Sequence, residues 1–351
     1  MKSGHGPSPG RRRILVGALQ IAAYGTALRF APELIRTADA QPPRPAEPPV
    51  PGTKVVLLGT RGGPGIDLAR NETASAVVVD GVTYLVDCGY GALRALVATG
   101  LGYNQIGTIF FTHLHDDHTA DLTALLTHQW TNSRNKPTEI YGPSGTIALI
   151  KATNSVLDIN AEIRIADEGR KTRPEEQFIG HDLPATAKPT EVLKDERVHV
   201  TAVQNEHYPE RSREKMSHRS LAYRFDTAER SVVFSGDTAY STNLVELARG
   251  ADFFVCEVMA QSIYDRMEAR AKEAMAAGQT FSIARHVAET HSTPRDVGRM
   301  AKEAGVKTVV LNHQLWGQRQ GQLEYPVTEY IDGVHETFRG EVIVGRDLMV
   351  F

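Results

Sequence analysis

Residues 113–118 read HLHDDH, so three histidines and two aspartates occupy six consecutive positions directly after the apolar run TIFF. His113 and His115 are two apart and face the same side of an extended segment. Asp117 and His118 follow where Leu122, Leu125 and Leu126 begin a helical spacing, and a carboxylate at a helix start is favoured by the helix dipole. Other apolar strands also stop at a metal-capable side chain: VTAVQNEH at His207, SVVFSGD at Asp237 and TVVLNH at His313. Strand ends on one edge of a sheet can converge on a single cavity although they lie far apart in sequence.

Imidazoles and carboxylates without cysteine suit a borderline divalent cation, zinc first, with manganese or iron as alternatives. A site of this composition points to catalysis rather than a closed structural site. One ion needs about three protein ligands plus water. His113, His115, Asp117, His118, His207, Asp237 and His313 therefore suffice for two ions, with the two-oxygen Asp237 as the natural bridge. Two ions about 3.5–4 Å apart can hold a hydroxide and polarise the bond it attacks.

The elements needed to position these residues are legible along the chain. KVVLLGT and SAVVVDGVTYLVDCG read as strands, with a hairpin turn at Asp80-Gly81. ALRALVA suits a short helix, TEIYG a strand, and Ser144 could cap a helix over GTIALIKATNSVL. Residues 161–196 read as a polar, irregular excursion, with five Lys/Arg against eight Asp/Glu between Ile165 and Glu196. Strands resume at RVHVTAV, LAYRFD, RSVVFSGD and ADFFVCEV. The amphipathic helix at 262–278 is a candidate lid or homodimer contact, and HSTPRDVGRMAKEAG is a second helix. Both this helix and the 161–196 excursion are expected to border the site. Helices between groups of strands imply sheets covered on their outer faces. Gly59, Gly62, Gly63 and Gly65 lack the Lys-Ser/Thr ending of a phosphate-binding loop and read as a tight turn near the metal edge.

The N-terminal region differs from the rest. Arg11, Arg12 and Arg13 precede a moderately apolar stretch, and Ala38-Asp39-Ala40 precedes the proline-rich QPPRPAEPPVPG. This order predicts a twin-arginine-type export signal at 1–40, a linker at 41–52 and one large domain at 53–351, with a periplasmic or extracellular location and no stable membrane insertion once the signal is removed. Without residues 1–40 the chain keeps 33 basic and 40 acidic residues, a formal charge of −7. An acidic body without a basic arm counts against nucleic acid as partner. Cys88 and Cys256 end apolar runs and read as buried small hydrophobes.

With these residues in view, the chain resembles the metallo-β-lactamase fold superfamily, whose HxHxDH signature His113–His118 matches. LLGTRGGPG…ARNETAS, LVDCGYG, SLAYRFD, VVFSGDT, ETHSTP and VVLNH occur in the order of its ribonuclease Z and arylsulfatase-like branch. The resemblance implies an α/β fold, a four-layer αββα sandwich, with the metals at one edge. It implies that His113, His115 and His207 hold one ion, that Asp117, His118 and His313 hold the other, and that Asp237 bridges. It gives Asp117 a part in orienting the attacking hydroxide and His291 a part in protonating the leaving oxygen. Glu257 is then a candidate partner for a ligand histidine. Because PERSREKMSHRS separates His207 from the next strand, His218 is a rival for its place and His199, inside a strand, a poorer one. His5, His128, His181, His286 and His335 receive no role.

The expected activity is that of an exported dinuclear hydrolase using a metal-bound hydroxide on small phosphate or sulfate esters. Lactone or other carboxylic-ester hydrolysis, ribonuclease Z-like cleavage of RNA, and iron-based redox chemistry are the alternatives. Outside enzymes, a ligand-binding protein retaining the fold remains the competing class.

Overall fold

The first strand shows how alternation builds layers. Along β1 (Thr53–Gly59), Val55 and Leu57 enter one apolar cluster while Val56 and Leu58 enter another, as the period-two geometry of a strand requires. The computed structural model describes residues 1, 52–66, 68–279, 281–315 and 327–351. The proposed export signal and linker lie outside these residues, apart from Met1 and Gly52.

β1 is followed by β2 (Ala74–Val79), β3 (Val82–Val86), β4 (Thr108–Phe110), β5 (Thr138–Pro143) and β6 (Phe178–Leu183), which form a six-stranded sheet in that order. The second sheet comprises β7 (Thr190–Lys194), β8 (His199–Gln204), β9 (Leu221–Asp226), β10 (Ser231–Phe234), β11 (Phe253–Met259), β12 (Thr308–Leu315) and β13 (Glu341–Val344). Its seven strands lie in reverse sequence order across the sheet. The β2–β3 turn has positive φ at Asp80 (49°) and Gly81 (80°), the geometry a two-residue hairpin favours.

Three buried clusters separate four layers. Val55, Leu57, Phe110, Tyr223, Phe225, Val255 and Val310 fill the space between the sheets. Leu85 and Ile109 pack with Leu96, Leu125, Leu126 and Leu157 of the helices outside the first sheet. Phe254, Val258 and Leu311 pack with Leu244, Val297 and Met300 outside the second. The expected αββα sandwich is therefore the observed fold. Phe110 ties the layers together beside the histidine cluster, its ring lying 5.2 Å from Phe225 and 5.4 Å from Tyr223. Truncating such a residue to Ala costs about 3–5 kcal/mol. Cys88 and Cys256 are buried in the clusters outside opposite sheets and form no disulfide.

Two local expectations are corrected. Residues 161–196 are not irregular: the helix Thr146–Glu168 runs through their start, and β6 and β7 become edge strands of the two sheets. Their side chains are mostly half-buried or exposed, so the segment lacks the apolar alternation that marks a strand in sequence. The long helix begins at Gly145 with no side-chain cap, so Ser144 does not cap it. Thr293 does cap the helix Pro294–Ala304, in a reciprocal box with Asp296, and this fixes the chain direction immediately after His291. No helix among the described residues is long and apolar enough to cross a membrane.

Candidate metal centre

β4 delivers the chain to one edge of the sandwich, where Thr112 and Phe111 are anchored across the sheets. The Leu221 amide donates to Thr112 O (2.8 Å), and the Tyr223 hydroxyl donates to Phe111 O (2.8 Å). His113 follows in a fully buried position, and the short helix Asp116–Thr119 turns Asp117 and His118 inward.

Two groups of ligand-type atoms result. His115 Nδ1 lies 3.0 Å from His113 Nε2 and 3.2 Å from His207 Nε2. In the second group, Asp237 Oδ1 lies 3.2 Å from His118 Nε2 and 3.1 Å from His313 Nε2, while Asp117 Oδ2 is 3.2 Å from His313 Nε2. Asp237 faces both groups, since its Oδ2 is 3.8 Å from His113 Nε2 and 4.0 Å from His207 Nε2. The cluster thus brings together all seven residues singled out as ligands. His218 instead meets the Ser144 carbonyl (2.8 Å) and His199 pairs with Glu191 (2.9 Å), both away from it.

These residues fit divalent cations. Among the described residues, buried His118 Nε2 and Asp237 Oδ1 have no hydrogen-bond partner, and each such group costs about 1–3 kcal/mol unless something satisfies it. A tetrahedral ion bound at about 2.0–2.1 Å sets its ligand atoms roughly 3.3 Å apart, close to the observed spacings. Burial pushes the His113, His115 and His207 imidazoles below their ordinary value, which leaves the neutral rings a metal requires. Burial also opposes protonation at His118, but Asp237, Asp87 and Asp117 outweigh it and hold that ring well above its ordinary value. His313 is raised likewise, burial being outweighed by Asp237 and Asp117. Around the second group the carboxylates call for positive charge, which a cation supplies.

The backbone explains how His313 points inward. Asn312 pairs with Glu257 and Gln314 with Val258, so His313 is an extra residue in β12, and its φ is +36°. A bulge of this kind re-aims one side chain next to a site, and the left-handed conformation is a strain the surrounding pairing must hold. The glycine turn closes over the same place. The Gly63 amide donates to Asp117 Oδ2 (2.7 Å). A Cβ at Gly62 would lie 2.6 Å from His313 Cε1, and one at Gly63 would lie 2.3 Å from Asp117 Cβ.

Outer partners fix the ligand rings. His118 Nδ1 donates to Asp87 Oδ2 (2.9 Å), whose carboxylate also accepts from the Thr112 amide (2.8 Å) and hydroxyl (2.9 Å). Asp87 was overlooked in the sequence, although it ends the LVD run as the other ligands end theirs. Glu257 does not partner a ligand histidine: His313 Nδ1 is 3.9 Å away, and Glu257 bonds His291 Nδ1 instead (2.9 and 3.1 Å). The two Glu257 oxygens are both taken by His291 Nδ1, which leaves His313 Nδ1 at the edge of ion-pair range. Burial disfavours charge on His291, but Glu257 and then Asp237 reverse this and push it up to about 9.

A cavity of about 220 Å³ opens above the cluster, lined among others by Gly63, Asp117, His207, Asp237, His291 and Leu315. Neither 161–196 nor the helix Gln261–Ala276 lines it among the described residues. The wall comes from the helix Ile283–Thr290, which carries His286, a residue given no role above.

The chain matches a family model described as a beta-lactamase superfamily domain over residues 83–314. It is similar to ribonuclease Z of Mycobacterium bovis (strain BCG / Pasteur 1173P2), with 29% identity over 84% of this chain and 96% of the relative. Ribonuclease Z of Mycobacterium sp. (strain KMS) is 30% identical over 75% of this chain and 84% of its own. Among solved structures, human tRNase Z, short form, aligns with a TM-score of 0.61 and 22% identity, covering 85% of this chain and 98% of its own. The metallo-beta-lactamase fold protein YhfI from Bacillus subtilis aligns with a TM-score of 0.60 and 18% identity over the same shares.

Proposed function

The chain belongs to the beta-lactamase superfamily, as a metallo-β-lactamase fold hydrolase of the ribonuclease Z branch, and from that premise we propose that it cleaves phosphodiester bonds with two divalent cations, zinc first. The observation that carries this reading is Asp237, whose two oxygens face two separate groups of ligand-type atoms. Bound there, the ions would supply Lewis acidity at the phosphoryl oxygens and an activated water.

The chain's own residues do the rest. His113, His115 and His207 would hold one ion, Asp117, His118 and His313 the other, with Asp237 shared. Asp117 has Oδ2 fixed by the Gly63 amide, which leaves its Oδ1 to accept a hydrogen bond from water and orient it. His291 has Nδ1 engaged by Glu257 and lines the cavity, so its Nε2 proton is the one available to the leaving oxygen. Proton donation of this kind contributes about 10²–10⁴-fold in rate.

RNA is the first substrate class to assay, since relatives covered over 96% of their length carry the name ribonuclease Z. The formal charge of −7 outside residues 1–40 favours a second reading, small phosphate or sulfate esters. The metal-loaded protein should be tried on structured RNA with a 3′ extension, a bis-aryl phosphodiester, an aryl sulfate and a lactone. Cleavage of either phosphodiester supports the proposal, with RNA alone favouring the first reading. Turnover of the sulfate or lactone alone overturns it. Export through residues 1–40 is a separate proposal, tested by N-terminal sequencing of protein from the periplasm and cytoplasm of an expressing cell.

A further inference from the structure

The helix Ile283–Thr290 presents Ile283, His286 and Val287 to the cavity, and residues three and four apart share a helix face. Its other side is held by charge: Glu289 accepts from Arg285 (2.7 Å) and pairs with Arg211. Ser282 caps its start by accepting from the Arg285 amide (3.1 Å). The helix is thus pinned from outside while an aliphatic face with one imidazole looks inward.

The His286 ring centre lies 5.2 Å from that of His207 and 5.9 Å from that of His291. Its only hydrogen-bond contact among the described residues is a long one, Nδ1 to Thr290 Oγ1 at 3.5 Å. The Thr290 proton is already given to the His286 carbonyl (2.8 Å). The ring therefore borders the cavity with Nε2 uncommitted among the described residues. A third cation on His207, His286 and His291 is disfavoured, because His207 Nε2 already faces His115 Nδ1 and no carboxylate belongs to that trio.

Leu315 and Pro64 add to the same lining. Aliphatic surface gains nothing from a hydrated phosphoryl group, whereas an apolar group placed against it gains about 25 cal/mol per Å² removed from water. Pockets that select a ligand combine such surface with a few polar groups that fix its orientation.

Resting on the phosphodiester reading above, we propose that this wall is a subsite for a flat aromatic group, an aryl ring or nucleobase, carried by a group esterified to the scissile phosphorus. Ile283, Val287 and Leu315 cover its face, and His286 is a substrate-contact residue bonding the ester's polar atoms. Chemistry at the ions proceeds without this wall; the wall decides which ester is brought to them.

The test uses the zinc-loaded full chain with two p-nitrophenyl phosphodiesters whose second group is phenyl or methyl, and, as non-reacting probes, phenylphosphonate and methylphosphonate in calorimetry. The wild type is expected to prefer phenyl in both kcat/KM and Kd. Val287→Ser should cut the phenyl-over-methyl ratio about tenfold, equivalent to about 1.4 kcal/mol. His286→Ala should weaken both phosphonates with two metals retained, and His286→Gln should restore part of that loss. Equal binding of the two phosphonates by wild type and Val287→Ser overturns the subsite, and metal loss in His286→Ala overturns the contact role. If the wild type cleaves neither diester, the phosphodiester reading fails, while the phosphonate preference still decides the subsite.

Discussion

Asp87→Asn should disable one metal position through a single proton. Asp87 Oδ1 accepts from the Thr112 amide, while Oδ2 accepts from the Thr112 hydroxyl and from His118 Nδ1. In the variant the amide oxygen must stay on the Thr112 N–H, which has no other role to play. The new NH₂ group then faces His118 Nδ1 and donates to it, which leaves the His118 proton on Nε2, the atom facing Asp237 and Asp117. A protonated nitrogen cannot ligate, so the ring must flip that tautomer or break the contact each time an ion binds. Outer partners of ligand histidines are worth about 10–100-fold in metal affinity, or about 1.4–2.7 kcal/mol. Asn also tolerates the positive φ of 60° at this position, so the backbone should hold. Competition titration with a chromophoric chelator should show one ion bound at wild-type affinity and the second weakened by that factor, with an unchanged far-ultraviolet circular dichroism spectrum. Two ions at wild-type affinity would mean that Asp87 does not set the His118 tautomer.

Other perturbations test neighbouring parts. His207→Ala should lose one ion by elemental analysis, whereas His218→Ala should keep both and the wild-type rate; the reverse outcome would move the ligand to His218. Gly63→Ala puts a methyl 2.3 Å from Asp117 Cβ and 2.5 Å from its Oδ2. It should lower kcat on the order of 10²-fold, as a displacement near 1 Å does, for about 1–3 kcal/mol of stability in urea unfolding; wild-type kcat would contradict this. Burial raises the Asp195 carboxyl, but the Tyr84 hydroxyl (2.5 Å) and the Arg197 and Val198 amides outweigh it and set the group below its ordinary value. Its contribution is therefore present above the ordinary aspartate range and lost as pH falls through the folded value. Tyr84→Phe should cost at most about 1 kcal/mol at pH 7, because Asp195 is exposed, and less in acid; a difference that grows in acid would refute the assignment.

The residues that ended apolar strands were the most legible part of the site, because a buried strand reads clearly and its terminal polar residue stands out against it. His113, Asp237 and His313 were found this way, and Asp87 obeys the same rule though it was passed over. What strand patterns cannot show is the bulge that re-aims His313, since it depends on pairing with β11. The edge strands β6 and β7 were missed because one open edge and half-exposed faces leave no apolar alternation to see. His286 was missed for a different reason: on the helix Ile283–Thr290 it is an ordinary polar position until the tertiary fold brings that face over His207. Glu257, expected to partner a ligand histidine, bonds His291 instead, because which histidine reaches the end of β11 depends on how the segment after the helix Ile283–Thr290 folds over it.

Anomalous diffraction from crystals of the zinc-loaded protein shows whether Asp237 joins two ions. Two peaks about 3.5–4 Å apart, one contacted by His113, His115 and His207, the other by Asp117, His118 and His313, and both by Asp237, are the predicted result. A single peak, or two peaks that Asp237 does not join, would contradict it.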